Sequence, residues 1–216
     1  MSSSEERAYE KVKRAIMLKR LVPGQRITED WVSKELNMSR TPIRAAFKRL
    51  ESEKLIELVP NKGAIVYKPS NKELRDVFEL RIVLETYAAR LAVPNLDDAH
   101  LEQLEILLSD ELETYKSKNF EEFLRVNGLI HTFLSEVSGN EFLLQEVDKL
   151  NQWSDCYLIL RDEFYSTPMD EVKSIPEHRV IFEHLQERDS EAAEAAIRNH
   201  LLSTLSDLSE RTSVFY

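Results

Sequence analysis

Residues 28–67, TEDWVSKELNMSRTPIRAAFKRLESEKLIELVPNKGAIVY, hold two short helical stretches joined at Asn37-Met38-Ser39, then two apolar strand-like runs around Pro60-Asn61-Lys62-Gly63. That order of helix, tight turn, helix and hairpin leaves few folds open, and it predicts a winged helix-turn-helix whose second helix can seat in a major groove. Thr28 is a capping residue for the first helix of the pair, and Glu29 and Asp30 favour its positive end. Ser39 or Thr41 caps the next helix, Pro42 is tolerated in its first turn, and Ile43, Phe47 and Leu50 share its inward face. Arg40, Arg44, Lys48 and Arg49 are left for the other faces. Strands are expected over 56–59 and 64–67, and Gly63 gives the wing a backbone able to approach a groove closely. A helix over about residues 5–20 precedes the pair, and the acidic Ser-Glu segment at its start is expected to fray.

A run of basic residues on a lone helix usually does no more than solvate it. Here charge is unevenly divided along the chain. Residues 1–68 carry 15 Lys and Arg against 9 Asp and Glu, a net of +6, so the remainder holds -16 of the chain's total of -10. A basic head on an acidic body is the signature of a DNA-binding module joined to a domain of another kind. The one cysteine, Cys156, cannot form an intrachain disulfide and sits in the apolar-leaning WSDCYLIL, which reads as a buried inert thiol in a reducing cytoplasm. No apolar run approaches the ~18 residues of a membrane span, and the N-terminus lacks a hydrophobic signal core.

Beyond residue 70 nothing alternates as a strand would, and a period near 3.6 is widespread. The chain therefore divides into a winged helix-turn-helix over 1–68, a linker over 69–72 around Pro69, and a helical body over 73–216. Helices are expected over 72–93, 97–117, 119–137, 141–165, 169–188 and 190–211, with connections short enough to make neighbours antiparallel. The fold class is mainly α: the winged head followed by an antiparallel bundle of six to seven helices.

Polar residues sit where those helices should be apolar. At about 100° per residue, Arg81 and Glu85 fall within the stripe of Leu74, Val77, Phe78, Ala88 and Ala92. Asn127 and His131 lie at the centre of the Phe120, Phe123, Leu124 and Leu134 stripe. His178 accompanies Ile175, Phe182 and Leu185, and His200 accompanies Ala193, Ile197 and Thr204. A distance argument brings the last two together: His178 lies 11 residues before Asp189 and His200 lies 11 after it, so in an antiparallel pair they are level. A single core histidine is ordinarily hydrogen-bonded filler. Three on inward stripes, with Asn127 one turn from His131, make a sensible ligand set for a divalent transition metal, zinc or nickel being the expected ions. By contrast His184 points away from the Ile175 stripe toward solvent, and His100 opens its helix near Asp97-Asp98 in a capping or surface role. Arg81 is either a buried ion-pair partner of Glu85 or a bidentate contact for a ligand carboxylate, and the two are compatible.

The segment PGQRITEDWVSKELNMSRTPIRAAFKRLESEKLIELVPNKGAIV closely resembles the DNA-binding domain of GntR-superfamily transcription regulators, chiefly in its PG-R-x-x-E and SRTP-hydrophobic-R signatures. The resemblance implies that Arg40 and Arg44 contact bases or nearby phosphates, Thr41 and Arg49 the backbone, and Lys62-Gly63 the minor groove. It also implies dimers on short palindromes. The body resembles the FCD domain, the effector domain of the largest GntR branch, through LRIVLETYAARLA, N-x-x-x-H followed by SGN, EHRVIFEHL and AIRNHL. In metal-binding members the three histidines match His131, His178 and His200, and the D/N-x-x-x-H pair often begins with Asp. Here it begins with Asn127, whose neutral amide lowers the negative charge of the site. The expected protein is thus a cytoplasmic, homodimeric regulator of double-stranded DNA that binds a metal and a small organic acid, with Arg81 holding the acid. Two rivals stand beside it: a metal-dependent hydrolase, and a constitutive DNA-binding dimer whose bundle only dimerises.

Overall fold

The computed structural model describes residues 3–60 and 62–210; Asn61 of the wing turn and the final residue of the helix expected to end at 211 lie outside them. Two compact units form. The first is residues 1–70 with 156–162, the second residues 71–155 with 163–216.

The first unit begins with α1 (Ser4–Met17), whose cap Ser3 accepts a hydrogen bond from the Glu6 amide at 3.1 Å. Fraying was expected of this segment. Instead the cap satisfies one of the amides a helix start leaves open, and Glu5 and Glu6 sit at the positive end of the dipole. α2 (Glu29–Leu36) is capped by Thr28, which accepts from the Trp31 amide, and stops at Asn37 in the left-handed conformation. α3 (Arg40–Ser52) starts from Ser39, with Pro42 in its first turn where an amide has no helical partner. Ile43, Phe47 and Leu50 are fully buried, and α1 and α3 pack against each other.

β2 (Ile56–Val59) and β3 (Gly63–Val66) form the antiparallel wing, and a two-residue strand β1 (Arg26–Ile27) pairs with the far side of β3. No sequence period could reveal β1, because two residues are too short to show alternation. The sheet order is β1-β3-β2. Its third strand changes the meaning of Gly63, which has φ +88 and no room for a Cβ beside the Ile27 carbonyl oxygen. The close approach that demands glycine is to this chain's own backbone.

The second unit is built from α4 (Asn71–Ala92), α5 (Asp98–Lys116), α6 (Phe120–Val137), the part of α7 (Glu141–Arg161) up to residue 155, α8 (Ser174–Gln186) and α9 (Ser190–Glu210), the remainder of α7 belonging to the first unit. α4 lies against α6 and α9, α5 against α6 and α8, and α8 against α9. Two boundaries depart from expectation. α7 stops at Arg161 and not near 165, because Phe164 turns in to stack on Phe120 at 4.5 Å and to meet Tyr115 edge-on at 4.9 Å. α8 starts at Ser174 and not at 169, since Pro176 in a helix interior would leave a carbonyl unpaired and is tolerated only in the first turn. His100 closes a capping box with Asp97, consistent with the role read from sequence.

Candidate functional site

On α3 the residues spaced by four, Arg40, Arg44 and Lys48, share an exposed face with Thr41. Their charges are held in place by α2. Arg44 donates from Nε and Nη2 to the two Glu29 carboxylate oxygens at 2.9 and 2.8 Å, and Arg40 Nε lies 2.7 Å from Asp30. The Arg44 pair is a bidentate fork, the geometry that fixes a guanidinium best. It also holds the Glu29 carboxyl below its usual range, the Arg44 hydrogen bond being the chief cause. Arg49 does not join that face. It donates to Glu6 at 2.8 Å and its guanidinium stacks 3.5 Å over the Tyr9 ring, tying α3 to α1. Lys62 is exposed at the wing turn beside the half-buried Gly63.

The second cluster lies inside the helical unit. Nε2 of His178 is 3.1 Å from Nε2 of His200, which is 3.4 Å from Nε2 of His131, and ligand atoms of all three fall within 4.8 Å of one another. Each ring is turned by a carboxylate on its other nitrogen. His131 Nδ1 meets Glu85 at 2.8 Å, His178 Nδ1 meets Glu111 at 2.9 Å, and His200 Nδ1 meets Glu177 at 2.8 Å. A ring nitrogen that donates to a carboxylate carries the proton, and in that tautomer the Nε2 of the same ring presents a lone pair. Three lone pairs facing one another repel unless an electrophile sits among them.

Burial reinforces the neutral form. Desolvation, with the nearby Arg81 charge, pushes the His131 imidazole down to about 4, and desolvation and the neighbouring imidazoles hold His200 well below its ordinary value. Burial alone would raise the Glu85 carboxyl, but Arg81 and His131 outweigh it and keep it below the usual range. Arg81, 2% exposed, donates from Nε to Glu85 at 2.7 Å and from Nη1 to Ser154 at 2.9 Å, while its Nη2 has no partner among the described residues. Two of the three Arg81 nitrogens thus hold Glu85 and Ser154, and the third, Nη2, is left.

The donor set fits a divalent transition ion. Imidazole nitrogens bind such ions at about 2.0 to 2.1 Å, which spaces adjacent donors roughly 3.0 to 3.4 Å apart, and a carboxylate behind each ring is the usual support. Asn127 is buried one helical turn before His131. A hollow of about 30 Å³ adjoins the three rings, walled by Leu104, Leu108, Phe133, Ile181 and Ile197.

Sequence reasoning placed the three histidines but missed Glu111 and Glu177 as their partners. Glu111 is one of several acids in LLSDELE, and nothing in its spacing singles it out. Glu177 precedes His178 yet supports His200, a pairing that only the α8–α9 packing reveals. His184, expected in solvent, is only partly exposed, at 33%.

Comparison with known proteins agrees with both halves. The family described as bacterial regulatory proteins, gntR family, matches residues 4–66, and the FCD domain matches residues 76–203. The HTH-type transcriptional repressor RspR of Escherichia coli is 27% identical over 196 residues, covering 91% of this chain and 85% of its own. YdhC, an HTH-type regulator of Bacillus subtilis, is 28% identical over 193 residues, covering 89% and 85%. Among solved structures, E. coli McbR/YncC shares the fold with a TM-score of 0.68 at 22% identity, covering 99% of this chain and 100% of its own.

Proposed function

The chain belongs to the gntR family of bacterial regulatory proteins and carries an FCD domain, and from that premise we propose that it regulates transcription in response to an organic acid sensed at a metal centre. It is a DNA-binding transcription regulator rather than an enzyme, as its families and relatives are. The relatives described above are transcription regulators, which speaks against the hydrolase alternative. No helix among the described residues is long and apolar enough to cross a membrane, and we place the protein in the cytoplasm with its operator.

In this reading a homodimer sets two heads on a palindrome, because two-fold symmetry in the protein mirrors two-fold symmetry in the site. Arg40, Arg44 and Lys48 enter the major groove, Thr41 takes a phosphate, and Lys62 and Gly63 bring the wing to the minor groove. Arg49, engaged with Glu6 and Tyr9, serves first to hold α3 on α1.

In the helical unit His131, His178 and His200, with Asn127, hold a divalent metal such as zinc or nickel, which supplies open positions for a carboxylate. The single observation carrying this reading is the convergence of three Nε2 lone pairs, each backed by a carboxylate. The remaining Arg81 donor, Nη2, is offered to the acid. Small-molecule pockets run to ~300 Å³ or more, so the hollow of about 30 Å³ has to widen to admit one. Widening shifts α5, α6, α8 and α9, and that displacement is what couples acid binding to the heads. A coupling of about 1 to 3 kcal/mol changes operator occupancy several-fold or more.

The test is elemental analysis of gently purified full-length protein, followed by operator binding with and without a panel of small organic acids. One transition metal per chain, and an acid that changes operator affinity, support the reading. Metal-free protein whose affinity no acid alters means a bundle that only dimerises.

A further inference from the structure

The three histidine–carboxylate pairs are not equivalent. Side-chain exposure is 7% and 5% for His131 and Glu85, and 1% and 0% for His178 and Glu111, but 3% and 29% for His200 and Glu177. Two pairs are sealed. The third has its imidazole inside and its carboxylate at the surface.

The surroundings sharpen the difference. A cleft of about 290 Å³ lies along α8 and α9, lined by Glu177, Ala192, Ala196, Asn199 and His200. His200 also lines the inner hollow, so this one residue borders both cavities. The alanines leave that cleft open where longer side chains would fill it. On its other flank Glu177 borders a wide recess of about 700 Å³ that also holds Glu163, Asp170, Glu171 and Asp207, with Lys173 paired to Asp207 at 2.7 Å. Acidic walls of this kind raise the local concentration of cations.

We propose that the Glu177–His200 pair is the exchange side of the centre, with Glu177 the positioning carboxylate through which a divalent cation reaches and leaves the three imidazoles by way of the α8–α9 cleft. The proposal rests on the metal reading given above. A hydrated cation sheds water only as protein donors replace it, and Glu177 is the first anionic donor on the way in. When its carboxylate swings from His200 Nδ1 toward the cleft, the imidazole is released from the partner that fixes its orientation, and Nε2 can turn aside. Glu85 and Glu111 have no such freedom, since both are enclosed with their rings.

The experiment uses zinc as the probe on full-length protein, following uptake by the metal-free form and release to a chromogenic chelator. Ala196→Trp narrows the cleft while leaving every proposed donor residue in place. It is expected to slow uptake and release alike, by about tenfold or more, and to leave the equilibrium constant within twofold. Glu177→Ala unlatches His200 and is expected to speed release by roughly 10- to 100-fold, the range over which carboxylates behind a ligand act. Glu177→Gln keeps an accepting oxygen and should fall between. Unchanged rates in Ala196→Trp, or release from Glu177→Ala no faster than from the parent, overturn the route. Parent protein that retains no stoichiometric zinc overturns the metal reading itself, a separate failure because no equilibrium constant can then be measured.

Discussion

His178 and His200, 22 residues apart in sequence and on successive antiparallel helices, bring their Nε2 atoms to 3.1 Å of each other with both Nδ1 atoms already committed to carboxylates. In the proposed metal centre a cation between the two Nε2 lone pairs relieves their mutual repulsion. Removing metal should therefore lower the thermal midpoint of the protein. At a hundredfold excess over Kd a ligand contributes about 2.7 kcal/mol, which for a chain this size is roughly 5 to 10 °C. Calorimetry before and after chelation reads the shift, and identical midpoints would mean that nothing binds there. His178→Ala and His200→Ala should each abolish the response, and the double variant should add nothing further.

The level placement of these two rings was legible because a helix rises uniformly and the α8–α9 connection is short. Much else in the site was not. Arg81 and Glu85 stood out as charged residues on an apolar stripe, yet the link from Glu85 to His131 crosses from α4 to α6 and leaves no periodic trace. The head was legible in its helices, strands and caps, since those depend on neighbours in sequence. Its strand β1, and hence the reason for Gly63, depend on a pairing between residues 26–27 and 64–65. Arg49 illustrates the same limit: its charge suggested the open face, whereas tertiary packing gave it to Tyr9.

Arg81→Ala should damage the site at a distance. Breaking a buried ion pair by removing one partner costs about 3 to 5 kcal/mol, because the other charge stays buried without compensation. Glu85 would be that charge, and it would take up a proton, weakening its hold on His131. The expected result is a lower unfolding midpoint together with weaker zinc binding, by roughly tenfold or more. Arg81→Ala protein that keeps full zinc affinity would show that Arg81 has no part in orienting His131.

The Glu29 fork predicts a gain of binding on removal of a charge. In the proposed groove contact, a base or phosphate taken by the Nε and Nη2 edge of Arg44 competes with the Glu29 carboxylate that occupies that edge. Glu29→Gln should leave the melting midpoint almost unchanged, since exposed pairs contribute little. It should raise affinity for non-specific duplex and narrow the ratio of operator to non-specific binding. Arg44→Ala should weaken both, and the salt dependence should flatten by about one unit for each phosphate that is no longer neutralised. Titrations at several salt concentrations decide the matter, and a Glu29→Gln protein that discriminates as sharply as the parent would refute the competition.

Two glycines make opposite predictions for the same substitution. Gly63 combines φ +88 with backbone contact, since a Cβ would strike the Ile27 carbonyl oxygen and crowd Thr28 Cα at 3.0 Å. The left-handed conformation alone costs an alanine about 1 to 2 kcal/mol. Relief of the clash has to come from parting β1 and β3, so Gly63→Ala should destabilise the head by more than that. Gly128 lies within α6 at an ordinary helical conformation, and nothing would stand within 4 Å of an added Cβ. There alanine narrows the unfolded ensemble and touches nothing new, so Gly128→Ala should stabilise the helical unit by about 0.5 to 1 kcal/mol. Denaturant unfolding of each variant separates the cases. Gly63→Ala protein as stable as the parent would mean that β1 and β3 part at no cost, and the wing would then owe its shape to something other than the strand behind it.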